Sequence, residues 1–125
     1  MQKILLVEDN ETITKGLKYS LEQEKFEVET AQNIVMAKTK IKKRKFDLYL
    51  LDISLPDGDG YEICKYVKNL GDVPVIFLTA KDEESNVVQG LDMGADDYII
   101  KPFRTRELIS RIKSVLRRYY HEEIN

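Results

Sequence analysis

Residues 47–52 read Asp47-Leu48-Tyr49-Leu50-Leu51-Asp52. Successive side chains of a strand point to opposite faces, so four apolar residues in a row need cover on both sides. The run is too short for a helix, and it ends in an acid. Similar short apolar runs occupy residues 4–7, 28–30, 75–78 and 98–100. Longer stretches with helical spacing lie between them. Ile13, Leu17 and Leu21 share one face of a first helix. A second helix ends in the basic cluster of residues 40–45, and a third carries Tyr61, Cys64 and Val67. Asp82 is a candidate cap for a fourth, with Val87, Val88 and Leu91. Leu108, Ile112 and Leu116 mark a fifth, with Thr105 as its candidate cap. Strands buried on both faces and alternating with helices predict an α/β fold. The expected architecture is a doubly wound five-stranded parallel sheet of order 2-1-3-4-5.

A chain of 125 residues is long enough for one domain with a real core. Twenty basic residues against 22 acidic give a net charge of −2, which does not suggest a nucleic-acid or membrane-surface binder. The apolar run at 4–7 is too short for a signal peptide or a membrane span. Cys64 is the single cysteine, so no internal disulfide forms, and its helical position predicts a buried packing residue. A cytoplasmic location fits these features. Apolar periodicity fades toward the C-terminus, so the domain is assigned to residues 1–119 and a tail or linker start to 120–125.

In such a sheet, ligands bind beyond the carboxyl ends of the strands. The first strand ends in Glu8-Asp9, the third in Asp52, the fourth in Thr79-Ala80 and the fifth in Lys101-Pro102. Each residue alone would be an ordinary cap, turn or loop residue. The predicted topology brings all four ends to one edge. Three carboxylates gathered there repel one another, and a divalent cation relieves the conflict. Mg²⁺ takes oxygen ligands, keeps several waters and accepts one or two carboxylates plus a phosphate. Asp9 and Asp52 are candidate direct ligands, Glu8 a nearby or water-mediated one, and the Ser54 backbone carbonyl a further one. Asp52 then becomes a candidate carboxylate nucleophile toward phosphorus. Lys101 supplies positive charge, Thr79 a donor hydroxyl, and small Ala80 leaves the approach open.

These residues carry a resemblance. The segments Ile4-Leu-Leu-Val-Glu-Asp-Asn10, Asp47-Leu-Tyr-Leu-Leu-Asp52, Leu55-Pro-Asp-Gly-Asp-Gly60, Pro74-Val-Ile-Phe-Leu-Thr-Ala80 and Gly94-Ala-Asp-Asp-Tyr-Ile-Ile-Lys-Pro-Phe103 resemble the receiver domain of two-component response regulators over almost the whole chain. The resemblance implies a flavodoxin-like (βα)5 receiver fold and a signalling switch rather than a turnover enzyme. It implies a phosphoryl group passed from a sensor histidine kinase to Asp52, with Glu8 and Asp9 as the acidic pair for Mg²⁺. It implies that Thr79 and Lys101 contact the phosphoryl group, that Tyr98 turns inward behind Thr79, and that Lys101-Pro102 is cis. Gly58 and Gly60 fit a loop with unusual backbone angles. Ser54 and Lys81 stand where the family tunes the lifetime of the phosphorylated state. Gly90 weakens the fourth helix by roughly 1 kcal/mol relative to Ala, marking it as the soft element of the switch.

Gly94-Ala-Asp-Asp97 with Arg111, Arg117 and Arg118 resembles the OmpR/PhoB subfamily. That likeness implies a homodimer on activation, through the face of the fourth helix, fifth strand and fifth helix. Val88 and Leu91 would form its apolar centre, with Asp97–Arg111 and Asp96–Arg118 pairs between copies. Val87 and Ser110 depart from the subfamily pattern and weaken the case. The likeness also implies transcription control, with DNA reached through a separate output domain not present in this sequence. A stand-alone receiver acting by protein contact is the alternative. A Mg²⁺-dependent aspartyl-phosphate phosphatase is disfavoured because Ser54 stands where a second acid would be needed. A flavodoxin-type electron carrier is disfavoured because Glu8-Asp9-Asn10 would repel a phosphate. His121 reads as a solvated residue.

Overall fold

A computed structural model of the chain describes residues 1–80, 92 and 94–120. Strands β1 (Lys3–Val7), β2 (Glu27–Ala31), β3 (Leu48–Asp52), β6 (Val75–Ala80) and β7 (Asp97–Lys101) form one five-stranded parallel sheet. Its order is β2-β1-β3-β6-β7, which is the predicted 2-1-3-4-5 when these five strands are counted alone. A two-stranded antiparallel hairpin, β4 (Ser54–Leu55) and β5 (Gly58–Asp59), follows Asp52 and was not expected. Helices α1 (Glu11–Gln23), α2 (Ile34–Lys43), α3 (Gly60–Leu70) and α4 (Thr105–Tyr119) complete the described elements. The helix predicted across 82–91, with Val87, Val88, Gly90 and Leu91, lies outside the described residues.

The strand pleat decides the two cores. Leu48 and Leu50 face one side with Ile4, Leu6, Ile76 and Leu78, against Leu17 and Leu21 of α1 and Leu108, Ile112 and Leu116 of α4. Tyr49 and Leu51 face the other side with Leu5, Val7 and Phe77, against Ala37 and Ile41 of α2 and Ile63, Cys64 and Val67 of α3. Burying both faces in this way is why the strands read as unbroken apolar runs. Cys64 is fully buried, and burial pushes its thiol up to about 11. It is a packing residue and a poor nucleophile at neutral pH.

Side chains start most of the helices. Asn10, Asn33 and Asp59 each accept an N–H from the first turn of α1, α2 and α3. Thr105 does not cap α4: it is the first helical residue, and Arg104 stands at the cap position without a side-chain bond. The far end of α4 is tied to the body. The Tyr119 hydroxyl donates to Asp96 at 2.9 Å. Tyr120, first residue of the expected tail, donates its hydroxyl to the Asp47 carbonyl at 3.1 Å. No helix among the described residues is long and apolar enough to cross a membrane.

Gly60 allows α3 to begin close under β3, where a Cβ would lie 2.3 Å from the Asp52 carbonyl oxygen. That neighbour is backbone and cannot step aside. At Gly16, on α1, nothing lies within 4 Å of an added Cβ. Gly16→Ala is therefore expected to stabilise the fold by about 0.5–1 kcal/mol. Gly60→Ala is expected to destabilise it by about 1–3 kcal/mol. Urea denaturation of the two variants checks the opposite signs.

Candidate functional site

The parallel register sets Glu8, Asp52, Thr79 and Lys101 at the same edge of the sheet. Val7 stands beside Leu51, Asp52 beside Leu78, and Ala80 beside Lys101. Glu8 follows β1 directly, and its N–H donates to the Ala31 carbonyl at 3.0 Å. Glu8, Asp52 and Thr79 are the polar side chains buried in this fold among the described residues. Asp9 and Ala80 are exposed at the rim.

The acids converge. Glu8, Asp9 and Asp52 each offer a carboxylate oxygen, all within 4.8 Å of one another. The Lys101 ammonium lies 2.8 Å from Glu8 Oε1 and 3.2 Å from Asp52 Oδ2. Asp52 Oδ1 accepts the Ser54 N–H at 3.2 Å, and Glu8 Oε2 accepts the Asn10 N–H at 3.0 Å. Thr79 is 1 % exposed, and its hydroxyl donates to the Ala80 carbonyl at 3.4 Å. The Lys101-Pro102 peptide is cis.

Burial and the neighbouring Glu8 carboxylate raise the Asp52 carboxyl to about 6, although Lys101 pulls it the other way. Burial pulls the Lys101 ammonium down, but Glu8 and Asp52 more than reverse it, so it stays above the ordinary lysine value. The site thus holds a buried carboxylate reluctant to ionise beside a firmly charged lysine.

A divalent cation fits this donor set. The oxygens are hard and clustered. Glu8 Oε1, though paired in charge with Lys101, lacks an aligned hydrogen-bond donor among the described residues. Lys101 balances part of the charge of the three acids, and a divalent cation would balance the rest.

The other expected residues spread along β7 and α4. Tyr98 is half-buried and packs against the core on the α2–α3 side. Asp97 pairs with Arg111 of its own chain at 3.1 Å, and Arg111 also reaches Glu107 at 3.0 Å. Asp96, expected to meet Arg118 of a second copy, has both oxygens engaged at home. They accept the Val75 N–H and the Tyr119 hydroxyl, both at 2.9 Å, with Lys68 3.6 Å away. Arg118 is exposed. Val88 and Leu91 lie outside the described residues.

Two features escaped the sequence. The Lys101–Glu8 pair needs the residue after β1 and the last residue of β7 to meet across β3 and β6, which spacing does not reveal. Asp57 reaches α2, where it accepts the Ile34 N–H at 2.8 Å and the Val35 N–H at 3.2 Å. Pro56-Asp57-Gly58 signalled a turn but not its partner.

The sequence profile of the response regulator receiver domain matches residues 4–113. Among solved structures, a two-component response regulator from Clostridium difficile is 34% identical, with a TM-score of 0.91 over 96% of this chain and 99% of that one. A CheY-like response regulator receiver domain protein from Methanospirillum hungatei JF-1 is 36% identical, with a TM-score of 0.92 over 98% of each chain. The non-phosphorylated HemR receiver domain from Leptospira biflexa is 38% identical, with a TM-score of 0.86 over 93% of this chain and 94% of that one. The chain belongs to the response regulator receiver domain family. It is a phosphorylation-activated switch of the two-component type, which implies a histidine kinase as phosphodonor. Receiver domains are signalling switches rather than turnover enzymes, and they bind Mg²⁺ in an acidic pocket such as Glu8, Asp9 and Asp52 form here.

An acid whose folded pKa lies above its unfolded value costs stability once ionised. Below 3.8, the ordinary aspartate value, Asp52 is protonated in both states and the cost vanishes. It grows as pH rises from 3.8 to about 6 and is full above that. Glu8, Asp9 and Lys101 are the charged groups facing it. Asp52→Asn is therefore expected to stabilise the metal-free protein by about 1–3 kcal/mol at pH 7.5. The gain should disappear as pH falls to 4. Thermal unfolding in chelator-treated buffer checks it; a gain independent of pH would refute the assignment.

Proposed function

We propose that Asp52 is the phosphoacceptor of this receiver. A carboxylate oxygen of Asp52 attacks phosphorus, an O–P bond forms, and the P–N bond to the kinase histidine breaks. The imidazole leaves and takes up a proton. The observation that carries this reading is the convergence of Asp52 with Glu8, Asp9 and Lys101 at one sheet edge. Asp9, Asp52 and the Ser54 carbonyl would hold Mg²⁺, with Glu8 directly or through water. When bound, the ion neutralises charge on the acids and on the transferring oxygens. Lys101 turns from the carboxylates to the phosphoryl oxygens. Thr79 donates its hydroxyl there, and Ala80 leaves room for the group.

The signal then travels through Thr79 and Tyr98. Movement of the Thr79 hydroxyl frees space that the half-buried Tyr98 ring fills. The β7 and α4 side of the domain carries the new shape, and the residues of the predicted 82–91 helix expected to join it lie outside the described residues. Its arginines and acids support an OmpR/PhoB-type receiver that forms a homodimer. Arg111 would exchange its own Asp97 for that of a second copy, around Val88 and Leu91, with Asp96 and Arg118 at the margin. The home bonds of Asp96 favour the alternative of a stand-alone receiver acting by protein contact. In the first case residues 1–119 form the receiver unit, and 120–125 lead toward an output domain controlling transcription. Both readings place the protein in the cytoplasm, where it turns over no substrate beyond its own phosphoryl group.

Incubation with acetyl phosphate and Mg²⁺, followed by mass measurement, tests the acceptor. Wild type should gain one phosphoryl group and Asp52→Ala none; equal gain by the variant would sink the assignment. Sedimentation velocity under the same conditions tests the dimer. Phosphorylated wild type should associate, and Arg111→Glu should weaken association by at least about tenfold. A monomeric phosphorylated protein would leave the stand-alone reading.

A further inference from the structure

We propose that Asp57 is a positioning residue for Asp52, tying the turn that follows β3 to the N-terminus of α2. The inference rests on the Asp52 reading above. Asp57 lies at the tip of the β4–β5 hairpin, yet its carboxylate accepts the Ile34 and Val35 N–H groups at 2.8 and 3.2 Å. These are first-turn donors that a helix cannot satisfy itself, and the positive end of the helix favours a carboxylate there. The helix already has its own cap, because Asn33 accepts the Met36 N–H at 2.8 Å. A second acceptor from a distant turn therefore does more than cap: it fastens the turn.

Two neighbours support the fastening. Gly58 has φ 149°, and a Cβ there would lie 2.6 Å from Ile34 Cδ1, so the hairpin is seated on the side chain whose N–H Asp57 holds. At the base of the turn, the Gly60 N–H donates to the Ile53 carbonyl at 2.8 Å. Ser54 sits between these clamps, and its N–H donates to Asp52 Oδ1. The path runs from α2 through Asp57 and the hairpin to the Ser54 N–H, and so to the orientation of the Asp52 carboxylate. Asp57 itself is exposed and is not a member of the acidic cluster. It acts by holding backbone that would otherwise hinge at Gly58. Partners that orient metal-binding groups commonly govern affinity.

Mg²⁺ titration calorimetry of the full chain, with thermal unfolding in parallel, tests the proposal on wild type, Asp57→Ala, Asp57→Asn and Asn33→Ala. Asp57→Ala should weaken Mg²⁺ binding by about tenfold. Asp57→Asn keeps an acceptor for Ile34 and should fall between; it carries the comparison if the alanine variant does not fold. Asn33→Ala removes a cap from the same helix and should lower the melting temperature while keeping wild-type Mg²⁺ affinity. Wild-type affinity in Asp57→Ala, or an equal loss in Asn33→Ala, overturns the positioning role. A wild-type protein that bound no Mg²⁺ would remove the metal-site reading and this inference with it.

Discussion

The Lys101 ammonium lies between two buried carboxylates, Glu8 and Asp52, and the carboxyl edge of the sheet depends on that contact. Two acids brought this close and this far from water would not stay ionised together without a cation beside them. The fold supplies one by placing β1, β3 and β7 in parallel, so that their carboxyl ends share an edge. Solvent and backbone groups help the site tolerate the rest of this charge. Asp9 remains at the rim in solvent, and Ser54 and Asn10 give backbone N–H groups to the carboxylate oxygens.

The same arrangement makes a switch physically reasonable. Lys101 is engaged by carboxylates now, and a phosphoryl group would offer it a more highly charged partner. Shifting a two-state equilibrium from nearly all of one form to nearly all of the other takes about 5.5 kcal/mol of differential interaction. Charge-assisted bonds in a partly dry pocket are of the right size to contribute that. Strands β1, β3 and β6 are packed on both faces, which leaves little room for rearrangement there. Change is therefore expected at the β7 edge, where Tyr98 is half-buried and Arg111 holds Asp97 and Glu107.

The segment after Asp52 shows how tightly the edge is built. Gly60 lets α3 approach the Asp52 carbonyl, Gly58 adopts a left-handed angle over Ile34, and Asp57 reaches across to α2. A short turn is fixed at three points within eight residues of Asp52. None of these residues joins the acidic cluster, but together they set the backbone from which Asp52 projects.

The local chain determined much of this protein. Leu48 to Leu51 announced a strand covered on both faces, and the spacing of Leu17 and Leu21 or of Leu108 and Ile112 announced the helices that cover one of them. That Glu8, Asp9, Asp52, Thr79 and Lys101 would gather at one edge was legible because strand ends in a parallel sheet converge by topology. Side-chain pairing was not legible, because it depends on distances across the sheet. Tertiary structure alone put Lys101 on Glu8, turned Asp96 toward Tyr119 and Lys68, joined Asp97 to Arg111 within one chain, and sent Asp57 to α2. The physical reason is one of range. Periodicity and turn chemistry act over a few neighbouring residues, whereas these contacts join residues 14 to 93 positions apart that meet only after the sheet has closed.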